Sequence, residues 1–304
     1  MLSFLFRYLK NSNLIFLTAF LFGLTVGDFA SPLKGYILPT LVLIMCLATT
    51  QITLFKLDQV KNYIRDILFV FLINYFFLSS LILLANFLLI RDHDLYVGFV
   101  VMAATPSAVA VLPFTFLLKG EMMVSLMGSA SLYLIALMLA PLISINFLDV
   151  GRIEPIKLIS VMIQLILIPF FVSRFLLKWR VFHQIKININ ILINLAFFLI
   201  IYVVIGTNRS VFMGHFGVLA LVSLVAFLRT FVSGHLIDVL SRLSGTDRER
   251  RMSYVLFGSF KNLGLAATIA IVLFNERAAI PAAVTIPFEI LFFIWFNYFQ
   301  KKWG

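Results

Sequence analysis

Phe257-Gly258-Ser259-Phe260-Lys261-Asn262-Leu263-Gly264-Leu265-Ala266 interrupts an apolar run that extends over residues 248–274. Glycine, serine, lysine and asparagine stand together where a membrane helix should be least polar. A lysine at mid-membrane costs roughly 2.5–3.5 kcal/mol on insertion scales, so Lys261 is a functional candidate by default. A second interruption, Thr105-Pro106-Ser107, falls near the middle of the apolar run over 95–118. The piece before it, 95–105, would be about 16 Å long as a helix, half of a bilayer.

The composition around these breaks is that of a membrane protein. Hydrophobic residues make up 62% of the 304, and charged residues only 12%. An ordinary soluble domain is about a quarter charged. Twenty-four basic and thirteen acidic side chains could not cover the aqueous surface of a fold this size. That excludes a soluble enzyme, a disordered chain and a nucleic-acid-binding domain. The net charge of +11 would suit nucleic acid or an anionic surface, but the apolar excess selects the lipid bilayer as the partner. The single cysteine, Cys46, cannot form an internal disulfide and reads as packing. His93, His183, His215 and His235 are scattered, with no HExxH spacing, so no metal cofactor is expected. Arg7 and Lys10 before the apolar stretch from Leu14 imitate a signal peptide. The run continues to Ala30, however, and Asp28 stands where a small residue should precede cleavage, so a retained first span is expected.

Ten stretches are apolar over a membrane-crossing length: 13–30, 35–55, 65–90, 95–118, 121–147, 155–177, 187–206, 211–236, 248–274 and 277–299. Their lengths and lack of alternation give helices rather than barrel strands. With the N-terminus inside, fifteen basic residues fall in inner segments, among them Arg7, Lys10, Lys56, Lys178, Arg180, Lys186, Arg248, Arg250 and Arg251. Six fall outside: Lys34, Arg91, Arg152, Lys157, Arg209 and Arg277. This bias puts both termini in the cytoplasm. Ten spans divide into two halves, 1–150 and 151–304, and an odd half must insert in the opposite orientation to its partner. The breaks then fall at corresponding positions, in spans 4 and 9. Paired broken helices in inverted repeats point to a secondary-transporter site.

At these breaks the sequence resembles the bile acid:sodium symporter family. In that family the first break reads approximately Cys-Pro-Gly-Gly-x-x-Ser-Asn, followed by a basic-Gly pair and a fifth span with spaced hydroxyls. This chain has Thr105-Pro106-Ser107-Ala108-Val109-Ala110-Val111-Leu112, then Lys119-Gly120, then Ser125 and Ser129. The second family break reads Glu-x-Gly-x-Gln-Asn-x-Gly-Leu-Ala, against Phe257 to Ala266 here. The resemblance implies an all-α membrane fold of two inverted five-helix repeats. Spans 4 and 9 would cross between a core (spans 3–5 and 8–10) and a panel (spans 1–2 and 6–7). It implies a secondary transporter of an organic anion in the cell (inner or plasma) membrane, not an enzyme.

The departures change the expected coupling. The first sodium site of the family uses the Ser-Asn pair, two span-5 hydroxyls and the span-9 Glu. Those positions hold Val111, Leu112, Ser125, Ser129 and Phe257. Hard cations need several oxygen ligands, and Val, Leu and Phe side chains supply none. The second site uses two Gln positions, which are Asn74 and Lys261 here. A lysine ammonium there competes permanently with the ion, so sodium independence is expected. The substrate and ion site is then expected at Lys261, Asn262, Glu289, Asn74, Ser125, Ser129, Thr105, Pro106 and Ser107.

Two readings of Lys261 stay open, both with Glu289 as its partner. Burial disfavours a charged amine and a neighbouring carboxylate favours it. If the two balance, Lys261 gains and loses a proton in each cycle and transport is proton-coupled. Otherwise the pair is a fixed strut. Arg229 is expected to snorkel or to pair with Asp238, Asp28 to cap a helix, and Glu121 to occupy the N-terminus of span 5. The competing functions are a sodium/proton antiporter, an auxin-efflux-type carrier and a channel. A mid-span Asp beside the lysine would mark the antiporter, and none appears in spans 3–5.

Overall fold

The computed structural model describes residues 8–50, 57–148, 156, 160–161, 163–178, 189–214 and 216–303, and among them all regular structure is helical. Arg7, Lys56, Arg152, Lys157, Arg180 and Lys186 of the orientation argument lie outside the described residues. So do His183, His215 and the boundary between the two halves.

Four helical stretches are long and apolar enough to cross a membrane: Lys61–Leu89, Met122–Phe147, Phe216–Leu243 and Arg277–Lys302. Six shorter apolar helices accompany them: Leu14–Thr25, Ser31–Leu47, His93–Ala104, Ile163–Leu176, Ile191–Thr207 and Leu263–Leu273. The helices used below are α1 (Ser12–Thr25), α2 (Ile37–Thr49), α3 (residues 57–89), α4 (His93–Ala104), α5 (Val111–Leu117) and α6 (Met122–Phe147). They continue with α7 (Ile168–Leu176), α8 (Ile189–Thr207), α9 (residues 216–243), α10 (Arg248–Phe257), α11 (Leu263–Leu273) and α12 (Ile280–Trp303).

Polar residues start several of these helices. The Asp92 carboxylate accepts the Leu95 N–H at 3.2 Å to open α4, and Glu121 accepts that of Met123 at 3.3 Å to open α6. Asp247 does the same for α10 and Asn262 for α11, each at 3.0 Å. Each side chain satisfies one of the donors that a helix start leaves free, and a carboxylate also suits its positive end. Asp28 is not a cap. It lies in a 3-10 turn, Gly27–Phe29, and takes Arg209 Nη1 at 3.2 Å.

Two of the long helices are wound locally as π-helix, α3 over Leu72–Leu78 and α9 over Leu228–Val232. Such turns add a residue to the helix and rotate side chains off the regular face. In α3 the turn carries Asn74, and in α9 it carries Arg229. Both are fully buried.

The helices pack in two groups. The first joins α8 along α1 and α2, with α7 against α2. In the second, α4 lies against α3, α6, α11 and α12, while α9 packs on α10 and α12. Close approach is required at Gly98 in α4, where an added Cβ would lie 2.1 Å from the Ala278 carbonyl oxygen. At one end of the molecule Arg277 binds Asp92 at 2.6 Å, and Lys34 binds Glu276 at 2.5 Å across the two groups. Partial burial pushes the Asp92 carboxyl up, but the hydrogen bonds and charge of Arg277 outweigh it and hold the group below the usual carboxylate range. At the other end Asp238 receives Arg242 and Arg251, each at 3.1 Å.

Candidate functional site

Both anticipated interruptions are breaks in helix. Between α4 and α5 the chain is non-helical from Thr105, which is extended (φ −71°, ψ 151°) as a residue before proline should be. Between α10 and α11 the helix stops at Phe257 and resumes at Leu263. The two breaks touch, with the Asn262 N–H donating to the Pro106 carbonyl at 2.8 Å. Around this contact α4 packs along α11, and α10 along α5.

A helix that stops inside a membrane leaves carbonyls without partners and a partial negative charge at its end. Lys261 meets the end of α4. Its Nζ donates to Ala103 O (3.1 Å), Thr105 O (2.9 Å), Asn74 Oδ1 (3.0 Å) and Ser79 Oγ (2.9 Å). It also sits 4.6 Å from the ring centroid of Tyr75, within cation–π range. Each of these oxygens is an acceptor toward the nitrogen. Asn74 Nδ2 is engaged by Phe257 O at 2.8 Å, which turns Oδ1 to the lysine, and the Ser79 hydroxyl gives its proton to Ala103 O at 2.7 Å. An ammonium has three donors and no lone pair, so it meets these four oxygens with one N–H shared between two of them. A neutral amine would press its lone pair against acceptors.

The other helix end, that of α10, is held by Arg229. Its Nη2 donates to Ser259 O at 2.8 Å, and Asn74 Nδ2 takes the Phe257 carbonyl. Each broken helix therefore ends on a cation supplied by the chain itself. This corrects two expectations. The ammonium of Lys261 does not pair with Glu289. Glu289 Oε1 instead takes Arg229 Nη1 at 2.7 Å and Nη2 at 2.8 Å, together with the backbone N–H of Lys261 at 3.1 Å. Arg229 neither snorkels nor reaches Asp238, which lies nine residues further along α9. The π turn rotates it inward, where it is 0% exposed.

The remaining expected residues are buried as well. Asn262 donates to the Tyr133 hydroxyl at 2.7 Å. Ser125 shares a hydrogen bond with Thr115 at 2.7 Å. The hydroxyls of Ser107 and Ser129 find no hydrogen-bond partner among the described residues. Phe257, standing at the family's carboxylate position, lays its ring on Gly128 of α6, where an added Cβ would lie 2.9 Å from Cζ. The four oxygens around Lys261 are engaged by its own nitrogen. Among the described residues no group of three or more His, Cys, Asp or Glu side chains could hold a metal. Tyr75, Ser79, Thr115 and Tyr133 were not singled out from the sequence. Ser79 follows Asn74 by five residues, a spacing that shares a face only in a π turn.

A cleft of about 680 Å³, open space included, runs beside the breaks. Phe16 of α1, Phe197, Ile201 and Val204 of α8, and Phe260 and Ile286 are among its apolar lining. Its polar lining is Lys261, Asn262 and Glu289. Asn74, Ser79, Ala103 and Thr105, which hold the lysine nitrogen, do not line it.

No curated protein matches the chain. A family profile matches residues 29–293, nearly its whole length. That match agrees with the resemblance to bile acid:sodium symporters, and the chain belongs to the SBF-like CPA transporter family.

Proposed function

We propose that this integral membrane transporter moves an amphipathic organic anion by alternating access, without sodium. The observation that carries the reading is Lys261 Nζ, held by four oxygens at 2.9–3.1 Å where a coupling cation would otherwise be needed. The transporter family and the apolar cleft support a membrane carrier rather than an enzyme or a channel. Formal charges of Lys261, Arg229 and Glu289 leave the cluster one positive, which favours an anion nearby.

In this reading ten spans form two inverted repeats, 1–150 and 151–304. A core of spans 3–5 and 8–10 rocks against a panel of spans 1–2 and 6–7. Both termini are cytoplasmic, in the cell (inner or plasma) membrane. The acceptor-only surroundings of Lys261 favour a lysine that keeps its proton through the cycle.

Uptake of labelled cholate into proteoliposomes tests the proposal. The rate should be the same with sodium or choline outside, and Lys261→Met should remove it. Uptake driven by an inward sodium gradient would sink the proposal. A pH gradient imposed alone separates the variant in which Lys261 releases its proton.

A further inference from the structure

The hydrogen bonds at Glu289 are one-sided. Both guanidinium bonds and the Lys261 N–H converge on Oε1, and Oε2 receives none among the described residues. The side chain nevertheless lines the cleft and keeps 11% of its surface accessible. The ammonium of Lys261 is turned the other way, into oxygens that belong to residues outside the lining. Asn262 offers little competition, because its Nδ2 is taken by Tyr133 and its Oδ1 by the Leu265 N–H. The free polar atom at this end of an otherwise apolar cleft is therefore a hydrogen-bond acceptor.

We infer that Glu289 Oε2 selects substrates carrying a hydroxyl group, which donates to it while the apolar body fills the cleft. This deepens the proposed function and rests on the cleft being the substrate site. An acceptor in an apolar pocket rejects a group that cannot donate, because the pair would face oxygen to oxygen with no water between. A protonated amine is also a donor, but Arg229 and Lys261 leave the cluster one positive, which disfavours a third cation there. The Arg229 clamp fixes the rotamer of Glu289, so Oε2 is preorganised rather than free to swing.

The test uses two matched probes, cholate with three hydroxyls and dehydrocholate with three ketones at the same carbons. Binding is measured on the full chain in lipid nanodiscs. The wild type should bind cholate at least about tenfold more tightly than dehydrocholate. In Glu289→Gln, Arg229 and the Lys261 N–H keep the amide oxygen, so the amide nitrogen takes the place of Oε2 and presents a donor. The preference should then fall to about twofold or less, chiefly by a gain for dehydrocholate. Equal binding of the two probes by the wild type overturns the inference and leaves the cleft as the substrate site intact. Binding of neither probe overturns both readings. If Glu289→Gln fails to fold, the wild-type ratio decides alone.

Discussion

Glu289→Met strips Arg229 of the one carboxylate that it meets among the described residues. Two charge-assisted bonds of 2.7 and 2.8 Å disappear, and among the described residues the fully buried guanidinium keeps only Ser259 O. Its Nε has no hydrogen-bond partner among the described residues even in the wild type. Breaking a buried pair from one side leaves an uncompensated charge and costs about 3–5 kcal/mol. Arg229→Met should cost a similar amount, since it leaves the carboxylate buried on a single backbone N–H. The double variant Arg229→Met/Glu289→Met behaves differently. It retains neither charge of the pair, and its orphans are the Ser259 carbonyl and the Lys261 amide, at about 1–3 kcal/mol each. Its total should therefore match a single variant rather than the sum of two. The assay is reversible denaturation in mixed micelles followed by far-UV circular dichroism, read as a double-mutant cycle. Single substitutions that cost under about 1 kcal/mol, or a double variant that costs the sum, would refute the assignment of this pair as one buried unit.

Three further outcomes follow from the geometry. Lys261→Met leaves Thr105 O and Asn74 Oδ1 without the bonds they now receive, whereas Ala103 O keeps the Ser79 hydroxyl. The loss should be about 2–6 kcal/mol in the same denaturation assay. Gly98→Ala drives a methyl to 2.1 Å from the Ala278 carbonyl oxygen, and α4 must move. Overpacking of that kind costs about 1–3 kcal/mol and should show as a lower thermal midpoint. The Asp92 carboxyl is held below its ordinary value by Arg277. Its contribution is full above the unfolded carboxylate range of about pH 4 and is lost as pH falls through the folded value. Thermal midpoints between about pH 5 and pH 3 should fall further for the wild type than for Asp92→Asn.

The breaks were legible because helix breakers and an ionisable residue stand inside apolar runs, and few physical reasons put Gly258, Lys261 or Pro106 there. Asn74 became visible only through the family resemblance. The pairing of the charges was not legible. A regular helix gives Arg229 no way to be distinguished from a snorkelling arginine, and nothing in the residues around 228–232 announces a π turn. The same turn in α3 brings Ser79 beside Asn74 and hides it from any 3.6-residue pattern. Lys261 and Glu289 do meet, but through a backbone N–H, which no charge pattern reveals. The departure at Phe257 was legible as a lost ligand. That its ring would pack on Gly128 needed the tertiary structure.

In the proposed function the chain carries its own cation at the touching breaks. The most direct test of that reading is the thermal midpoint of the purified wild type as sodium replaces choline at constant ionic strength. A bound ion stabilises the state that holds it and makes the midpoint climb with concentration. With Lys261 Nζ already on Asn74, Ser79, Ala103 and Thr105, the wild-type midpoint should stay flat. A midpoint that rises with sodium and saturates would mean that the protein binds the ion in spite of Lys261.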